Sequence, residues 1–295
     1  MDTSQIKKFA IAARNILLQG VINKISTLGF DTQGHVTLAQ MPVLAHNDTN
    51  FNGRIIPGTR FFNQWNALHQ AIQQKGVEAV FEEVAYTWFN RLVAIRILQN
   101  QETQLITNVL DFVDDSNTPS IVNDARHGIF PMNMDEIATA ELNRLLQDDT
   151  KTTEQFSILI SAFCESTPIL RKIFGRIDDY TELLLPNNIL AKNGFVDMLN
   201  NTEYITTDDY KQTELIGWLY QFYISERKTA AYRNTGEWHV EEVEAATQIF
   251  TPNWIVKYMV ENTLGRIYLD NNPNTNLAND MKYLVEQSEG EHPIF

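Results

Sequence analysis

Apolar residues recur every three or four positions along much of this chain, and that spacing is typical of amphipathic helices. One run of this kind covers Ser4–Leu28 and stops at Gly29. Two more cover Thr59–Lys75 and Val77–Gln99, with Gly76 between them. The pattern predicts a mainly α fold with few strands.

Residues 29–58 carry many Gly, Asn and Asp residues and little helical period, so they predict a long loop that holds a short hairpin at His35–Gln40. Loops of this length are uncommon unless they are functional. Residues 111–120 and 124–133 are also loop-like. The helices predicted for the middle of the chain are Asp135–Gln147 and Thr153–Cys164.

Residues 178–210 mix short helical pieces with turns, which Pro186, Asn pairs and Gly194 mark. The apolar run that follows predicts a helix over residues 213–228. Asp208 or Asp209 is expected to cap this helix, because a short acidic side chain accepts hydrogen bonds from the free N–H groups of a first turn.

The stretch Ala245–Gly265 combines a helix start with ligand chemistry. The Thr251 hydroxyl can accept a hydrogen bond from a free N–H group, and Pro252 suits the first helical position. The positive end of the helix dipole at such a start favours a carboxylate or a phosphate, although many similar helices bind nothing. The predicted apolar face comprises Ile255, Val256, Met259, Val260 and Leu264, with Gly265 at the far end.

The composition is that of a folded protein, since 43% of the 295 residues are hydrophobic and 20% are charged. No apolar run approaches the ~18 residues that cross a bilayer, and the amino terminus alternates polar and apolar residues where a signal peptide is uniformly apolar. These patterns predict a cytoplasmic protein with no membrane partner. The one cysteine, Cys164, has apolar neighbours and is expected to be an inert packed thiol.

Basic and acidic side chains are unevenly distributed. The formal net charge of −14 disfavours contact with nucleic acid overall. Residues 1–100, however, hold nine basic and six acidic side chains, whereas residues 101–295 hold fourteen and thirty-one. Any DNA contact is therefore expected in the first hundred residues, although such charges also fit ordinary solvated helix surfaces. The candidates are Lys7, Lys8, Arg14, Arg54 and Arg60, followed by Lys24, Arg91 and Arg96.

Four blocks of the sequence resemble one family of enzymes. The last block is AATQIFTPNWIVKYMVENTLGRIY, which resembles the opening motif of amino-group DNA methyltransferases, where Phe-Thr-Pro precedes a helix. The other three are MDTSQIKKFAIAARNILLQGV, VAYTWFNRLVAIRILQ and LIGWLYQFYISERK. In their residues and in their order along the chain, the four blocks resemble those of the large adenine-specific methyltransferases of BREX phage-defence systems, the PglX family. The resemblance spans nearly the whole chain.

This resemblance implies a site for S-adenosylmethionine, because in that family the Phe-Thr-Pro segment lies against the methionine end of the cofactor. Carried over, Phe250 would wall the pocket, Thr251 would offer hydroxyl and backbone contacts, and Pro252 would fix the turn. The resemblance also implies DNA as the substrate, with other defence-system proteins as candidate partners.

Two elements that complete such an enzyme do not occur in the sequence. It has neither a glycine-rich Asp-Pro-Ala-Cys-Gly-Ser-Gly turn for the cofactor nor an Asn-Pro-Pro-aromatic loop for a flipped adenine. The prediction is a multi-helix amino-terminal domain, residues 1–236, followed in residues 237–295 by the opening helix of a Rossmann-like methyltransferase domain that is not completed. This piece contains no predicted catalytic residue and is expected to be inactive alone.

A second class of function stays open. The helical domain is alternatively a module that binds DNA or proteins of a defence complex and has no catalytic role. Metal binding is not expected, because the six histidines show no metal-ligand spacing with cysteine and the polar pattern at residues 239–242 fits a solvated approach to the motif.

Overall fold

The chain forms two compact units, residues 1–213 and residues 214–295. The computed structural model describes residues 2–101, 103, 105–113, 115, 117–174, 180–233, 236, 243, 246, 247 and 249–286. The domain boundary predicted after residue 236 adjoins residues 237–242, which lie outside the described residues, so that boundary stays a prediction.

The first unit is mainly helical, as the apolar spacing predicted. Its helices are α1 (Thr3–Ile25), α2 (Arg60–Lys75), α3 (Val77–Gln99), α4 (Ser120–Arg126), α5 (Glu136–Leu145), α6 (Thr152–Ser166), α7 (Pro168–Phe174) and α8 (Phe195–Asn200). Gly29 and Gly76 have φ angles of 88° and 84°, a conformation that glycine adopts without a Cβ penalty. Gly76 ends α2 where the sequence predicted, whereas α1 ends at Ile25 and a 3₁₀ turn, Ser26–Leu28, leads from it to Gly29.

Helices α1 and α3 form the centre of this unit. They pack against each other, and α3 also contacts α2, α7 and α8. The largest buried side chains satisfy their polar atoms within this core: Trp65 Nε1 donates to the Leu28 carbonyl at 2.8 Å, and Trp88 Nε1 donates to the Thr181 carbonyl at 2.9 Å. The two indoles therefore tie distant segments together without leaving a buried N–H group unpaired.

The predicted hairpin at His35–Gln40 is wrong. Those residues lead into a short 3₁₀ turn at Leu38–Gln40, and the strands come later as β1 (Val43–Ala45), β2 (Asp48–Phe51) and β3 (Arg54–Ile56). The three strands form an antiparallel sheet in that order. Positive φ angles at His46, Asn52 and Gly53 build its two tight turns, and Asn-Gly is a strong hairpin signal that the sequence interpretation missed.

Helix α4 was not predicted. It begins at the end of the loop predicted for residues 111–120 and extends into the loop predicted for residues 124–133. It is only seven residues long, and its apolar side chains Ile121, Val122 and Ala125 are buried. Helix α4 packs against α6, which also contacts α5 and α7. A helix of this length is barely stable on its own in water, so its formation depends on packing against α6.

The second unit contains the helices around the Phe-Thr-Pro turn. They are α9 (Leu215–Tyr223), α10 (Ser225–Arg233), α11 (Asn253–Val260), a π-helical turn at Glu261–Gly265 and α12 (Arg266–Asn271). Within the described parts of both units, no helix has the length and apolarity needed to span a bilayer.

The expected aspartate cap of the helix after residue 210 is wrong. Asp209 instead accepts hydrogen bonds from the N–H and hydroxyl groups of Thr206 and opens a separate 3₁₀ turn, Asp209–Lys211. Helix α9 begins only at Leu215, and Glu214 stands at its cap position. The Asp209 carboxylate, which was expected to cap α9, therefore forms hydrogen bonds within a local turn instead.

Candidate functional site

The Phe-Thr-Pro segment forms the approach to helix α11, one position later than predicted. Pro252 stands at the cap position with extended backbone (φ −56°, ψ 143°), and Asn253 is the first helical residue. No side chain at the cap position bonds the first turn, and the Thr251 side chain is exposed. The expected cap by the Thr251 hydroxyl is therefore wrong, and this hydroxyl faces solvent.

A carboxylate from helix α9 occupies the start of α11 instead. Glu214 Oε1 accepts a hydrogen bond from the Asn253 N–H group at 3.0 Å. The positive end of the helix dipole and a free N–H group stabilise a negative charge in this place. A side chain of the same unit thus uses one of the donors at this helix start, and the ligand role predicted for the helix start stays a prediction.

The Phe250 ring lies against helix α9. Its centroid is 5.4 Å from that of Trp218, in an edge-on arrangement, and the ring contacts the backbone at Gly217. A Cβ atom at residue 217 would lie only 2.0 Å from Phe250 Cε2. Gln221 Oε1 accepts a hydrogen bond from the Phe250 N–H group at 2.8 Å. Phe250 is thus held by ring packing and by a backbone bond, and its role as the wall of a cofactor pocket stays a prediction.

Sequence reasoning missed Glu214, Gly217 and Gln221, although the block LIGWLYQFYISERK, which helped to carry the resemblance to the Phe-Thr-Pro block's family, contains or adjoins them. The structure joins these blocks, since the segment after residue 214 contacts the segment after residue 249. The missed signal is the spacing of a polar, a small and a polar residue along one face of an otherwise apolar helix.

Helix α11 does not end at Gly265 as predicted. The chain continues through the π turn into α12, so Gly265 lies inside a longer helical segment. Side chains of the π turn bind the segment that follows: Asn262 bonds the backbone of Tyr283 and Val285, and Glu261 accepts from the Tyr283 N–H group. Such turns insert one residue into a helix and are frequent near functional sites.

The apolar face predicted for α11 is present and lies in solvent. Four of its five members are exposed, with Leu264 at 69% and Met259 at 58%, and Trp254 beside them is 56% exposed. Monomeric proteins rarely leave contiguous apolar patches of this kind uncovered, and such patches mark interaction surfaces.

The basic residues of the first hundred positions fall into two groups. Lys7 and Lys8 are exposed on α1, and the Arg54 side chain is 64% exposed on strand β3, 3.9 Å from Glu141. Arg14, in contrast, is buried against Glu82, and Arg60 lies 2.9 Å from Glu182 and 3.5 Å from Asp135.

The three further candidates contact neighbours within the first unit. Arg91 is buried, Arg96 pairs with Asp111, and Lys24 Nζ donates to Asn187 at 2.6 Å. Burial lowers the pKa of Lys24. Their positions favour roles in holding the unit together.

Cys164 is buried, and burial raises the pKa of its thiol to about 12. A thiol with such a pKa is protonated near neutral pH and is a poor nucleophile, which agrees with the packed role predicted for it. Among the described residues, no three His, Cys, Asp or Glu side chains cluster as a metal site would require. Residues 239–242 lie outside the described residues.

No family model matches this chain. Two curated proteins do. The adenine-specific methyltransferase BrxX of Escherichia coli O9:H4 (strain HS) is 34% identical over 304 aligned positions, which cover 98% of this chain. The adenine-specific methyltransferase PglX of Lacticaseibacillus casei (strain Zhang) is 30% identical over 286 positions, which cover 91% of this chain. The chain is homologous to both.

These two methyltransferases confirm the resemblance inferred from the four sequence blocks. The chain spans about a quarter of their length, since the alignments cover 24% of BrxX and 23% of PglX. Both Phe250–Pro252 and the helix α9 that contacts it lie within the compared region, because the BrxX alignment covers nearly the entire chain.

Proposed function

We propose that this chain is the amino-terminal part of an adenine-specific, S-adenosylmethionine-dependent DNA methyltransferase that marks host DNA in a BREX-type phage-defence system. The observation that carries the proposal is the similarity to BrxX along 98% of the chain, while BrxX itself is about four times as long. Since its substrate is host DNA, the enzyme works in the cytoplasm. Other proteins of the defence system are its candidate partners.

In this proposal, the chain contains a helical domain and the opening of the methyltransferase domain. The exposed apolar face of α11 supports this division, because an opening helix of a Rossmann-like domain needs a sheet to cover that face. The glycine-rich turn and the Asn-Pro-Pro-aromatic loop belong to the remainder of the complete protein. Methyl transfer therefore requires that remainder.

The residues at the start of α11 fit the methionine end of S-adenosylmethionine. Thr251 offers an exposed hydroxyl donor beside the start of α11, where the Asn253 N–H group is already bonded to Glu214, and Phe250 is fixed next to it. When bound, the cofactor supplies the methyl group. The chain's own residues contribute donors for its carboxylate, an aromatic wall and a rigid turn at Pro252.

Replacing Thr251 with valine in the complete protein tests this site. The substitution keeps the shape of the side chain and removes its hydroxyl. Since this hydroxyl does not cap α11, we expect unchanged thermal stability and a dissociation constant for S-adenosylmethionine raised roughly 10-fold, the loss of one hydrogen bond to a charged group. Calorimetric titration of the cofactor into both proteins measures the effect.

Thr263→Val is the matched control, because the Thr263 hydroxyl bonds the Met259 carbonyl of its own helix. It should leave cofactor affinity unchanged. An unchanged affinity in Thr251→Val, or equal losses in both variants, would contradict the role proposed for Thr251.

We further propose that the first unit makes weak, non-specific contact with DNA. DNA binding was one part of the alternative function, and the positions of the exposed basic side chains favour it. Lys7, Lys8 and Arg54 carry this proposal, because Arg14 and Arg60 lie against carboxylates. The acidic excess of residues 101–295 opposes phosphate binding.

Neutralising Lys7 and Lys8 together as glutamines should weaken duplex binding and flatten its salt dependence by about one unit of slope per lost phosphate contact. Fluorescence anisotropy over a series of salt concentrations measures both quantities. Lys192→Gln, an exposed lysine in the acidic part of the chain, is the control and should change neither. Tight, sequence-specific and salt-insensitive binding by residues 1–295 would refute the proposal.

A further inference from the structure

Helix α9 presents one face to the Phe-Thr-Pro turn. Glu214 at its start is followed on that face by Gly217, Trp218 and Gln221, at the spacing of three, four and seven residues that places side chains above one another on a helix. All four contact the segment from Phe250 to Asn253. The opposite side of the helix start carries the exposed residue Ile216.

Two hydrogen bonds from this face fix the backbone on either side of Thr251. Gln221 accepts the N–H group of Phe250 at 2.8 Å, and Glu214 accepts the N–H group of Asn253 at 3.0 Å. The bonded amides are three residues apart, so the backbone between them has little freedom. The direction of the Thr251 hydroxyl therefore depends on α9.

Gly217 provides the room for this arrangement. The Phe250 ring lies so close that a methyl group at residue 217 would overlap its Cδ2 and Cε2 atoms, at 2.1 Å and 2.0 Å. A clash of that size cannot be absorbed without moving the ring, because Trp218 lies against it. The position of the Phe250 ring therefore requires glycine at residue 217. The helix itself does not, because glycine weakens a helix.

We propose that Glu214, Gly217 and Gln221 are positioning residues for the cofactor turn. They act through Phe250 and Asn253, and they set how well Thr251 and the start of α11 are oriented toward the methionine end of S-adenosylmethionine. This inference rests on the proposed function of Phe250–Pro252 and deepens it by naming the groups that hold this segment in place. Preorganised contacts of this kind lower the cost of ordering the site on binding.

Paired variants of Gln221 in the complete protein provide the first test. Gln221→Met keeps the length of the side chain and removes the acceptor, whereas Gln221→Glu retains it. Hydrogen exchange at the Phe250 amide, followed in peptides that begin at residue 246 or earlier, should speed up at least about 10-fold in Gln221→Met and remain slow in Gln221→Glu. The cofactor dissociation constant should follow the same order, with kcat at saturating cofactor changed less than about 2-fold.

A double-mutant cycle at Gly217 provides the second test. Gly217→Ala should weaken cofactor binding about 10-fold or more in the unaltered background and add no further loss when Phe250 is already alanine, because the clashing ring is then absent. Ile216→Ala on the exposed side of α9 is the control and should bind the cofactor normally. Circular dichroism melting verifies that each variant is folded.

The outcomes separate this inference from the proposed function. If Thr251→Val and Phe250→Ala weaken cofactor binding while Gln221→Met leaves both exchange and affinity unchanged, α9 does not position the turn and only this inference fails. An additive loss in the Gly217 cycle would overturn it as well. If the complete protein binds no S-adenosylmethionine at all, the proposed function and this inference both fail.

Discussion

Residues 1–295 produced alone will transfer no methyl group to DNA and will bind S-adenosylmethionine at least about 100-fold more weakly than the complete protein, a difference of about 2.7 kcal/mol. The reason is geometric. The Thr251 hydroxyl and the start of α11 reach only one end of the cofactor, and the sequence contains no glycine-rich turn for the adenosine end. It also has no Asn-Pro-Pro-aromatic loop to bind a flipped adenine.

Calorimetric titration of both proteins, followed by transfer of a tritiated methyl group to DNA, measures this difference. A thermal melt monitored by circular dichroism verifies that the isolated chain is folded when it is assayed. Micromolar cofactor binding or any DNA methylation by residues 1–295 alone would refute the division of the enzyme proposed here.

Replacing Trp88 with alanine will destabilise the first unit by about 3–5 kcal/mol. This indole is fully buried in helix α3, and its Nε1 atom donates to the Thr181 carbonyl at 2.9 Å. The substitution leaves a cavity and removes one of the hydrogen bonds to the Thr181 carbonyl, which keeps its bond from the Leu184 N–H group, and both effects lower the free energy of unfolding. Urea denaturation of residues 1–295, monitored by far-ultraviolet circular dichroism, measures the loss.

Trp254→Ala removes the same side chain from an exposed position and is the matched control. Its effect on the unfolding of the isolated chain should stay within about 0.5 kcal/mol. Equal shifts of the urea midpoint in the two variants would show that Trp88 does not have the central role in packing assigned to it.

The long helices of the first unit were predictable because their signals are local. Apolar residues at three- and four-residue spacing fix the buried face of α1, α2 and α3, Gly76 marks the end of α2, and Gly29 marks the end of the 3₁₀ turn that follows α1. Helices α5 and α6 also lie where predicted, with Asp135 capping α5 through the Ala138 N–H group.

The errors occurred where short elements depend on distant partners or on turn geometry. The strands are three or four residues long, and their register is set by positive φ angles at His46 and Asn52. Helix α4 requires the surface of α6. The Gly265 prediction failed because a π turn carries the helix onward, and neither its extra residue nor the hydrogen bonds of Asn262 follow from apolar spacing.

At the candidate site, the sequence identified the Phe-Thr-Pro turn but not the residues that hold it. The three residues of the Phe-Thr-Pro motif are adjacent in the chain, so the motif can be recognised from the sequence alone. Its partners Glu214 and Gln221 lie 39 and 29 positions before the residues that they bond. The cap assigned to Thr251 is supplied by Glu214 through folding of the chain, and the Thr251 side chain is exposed.

The most direct test of the account is to incubate the complete protein with unmethylated DNA and S-adenosylmethionine that carries a tritiated methyl group, and then to identify the labelled base. We predict label on the amino group of adenine, and its loss at limiting cofactor when Phe250 is replaced by alanine. Label on cytosine, or no transfer by the folded complete protein, would contradict the proposal that this chain begins an adenine-specific methyltransferase.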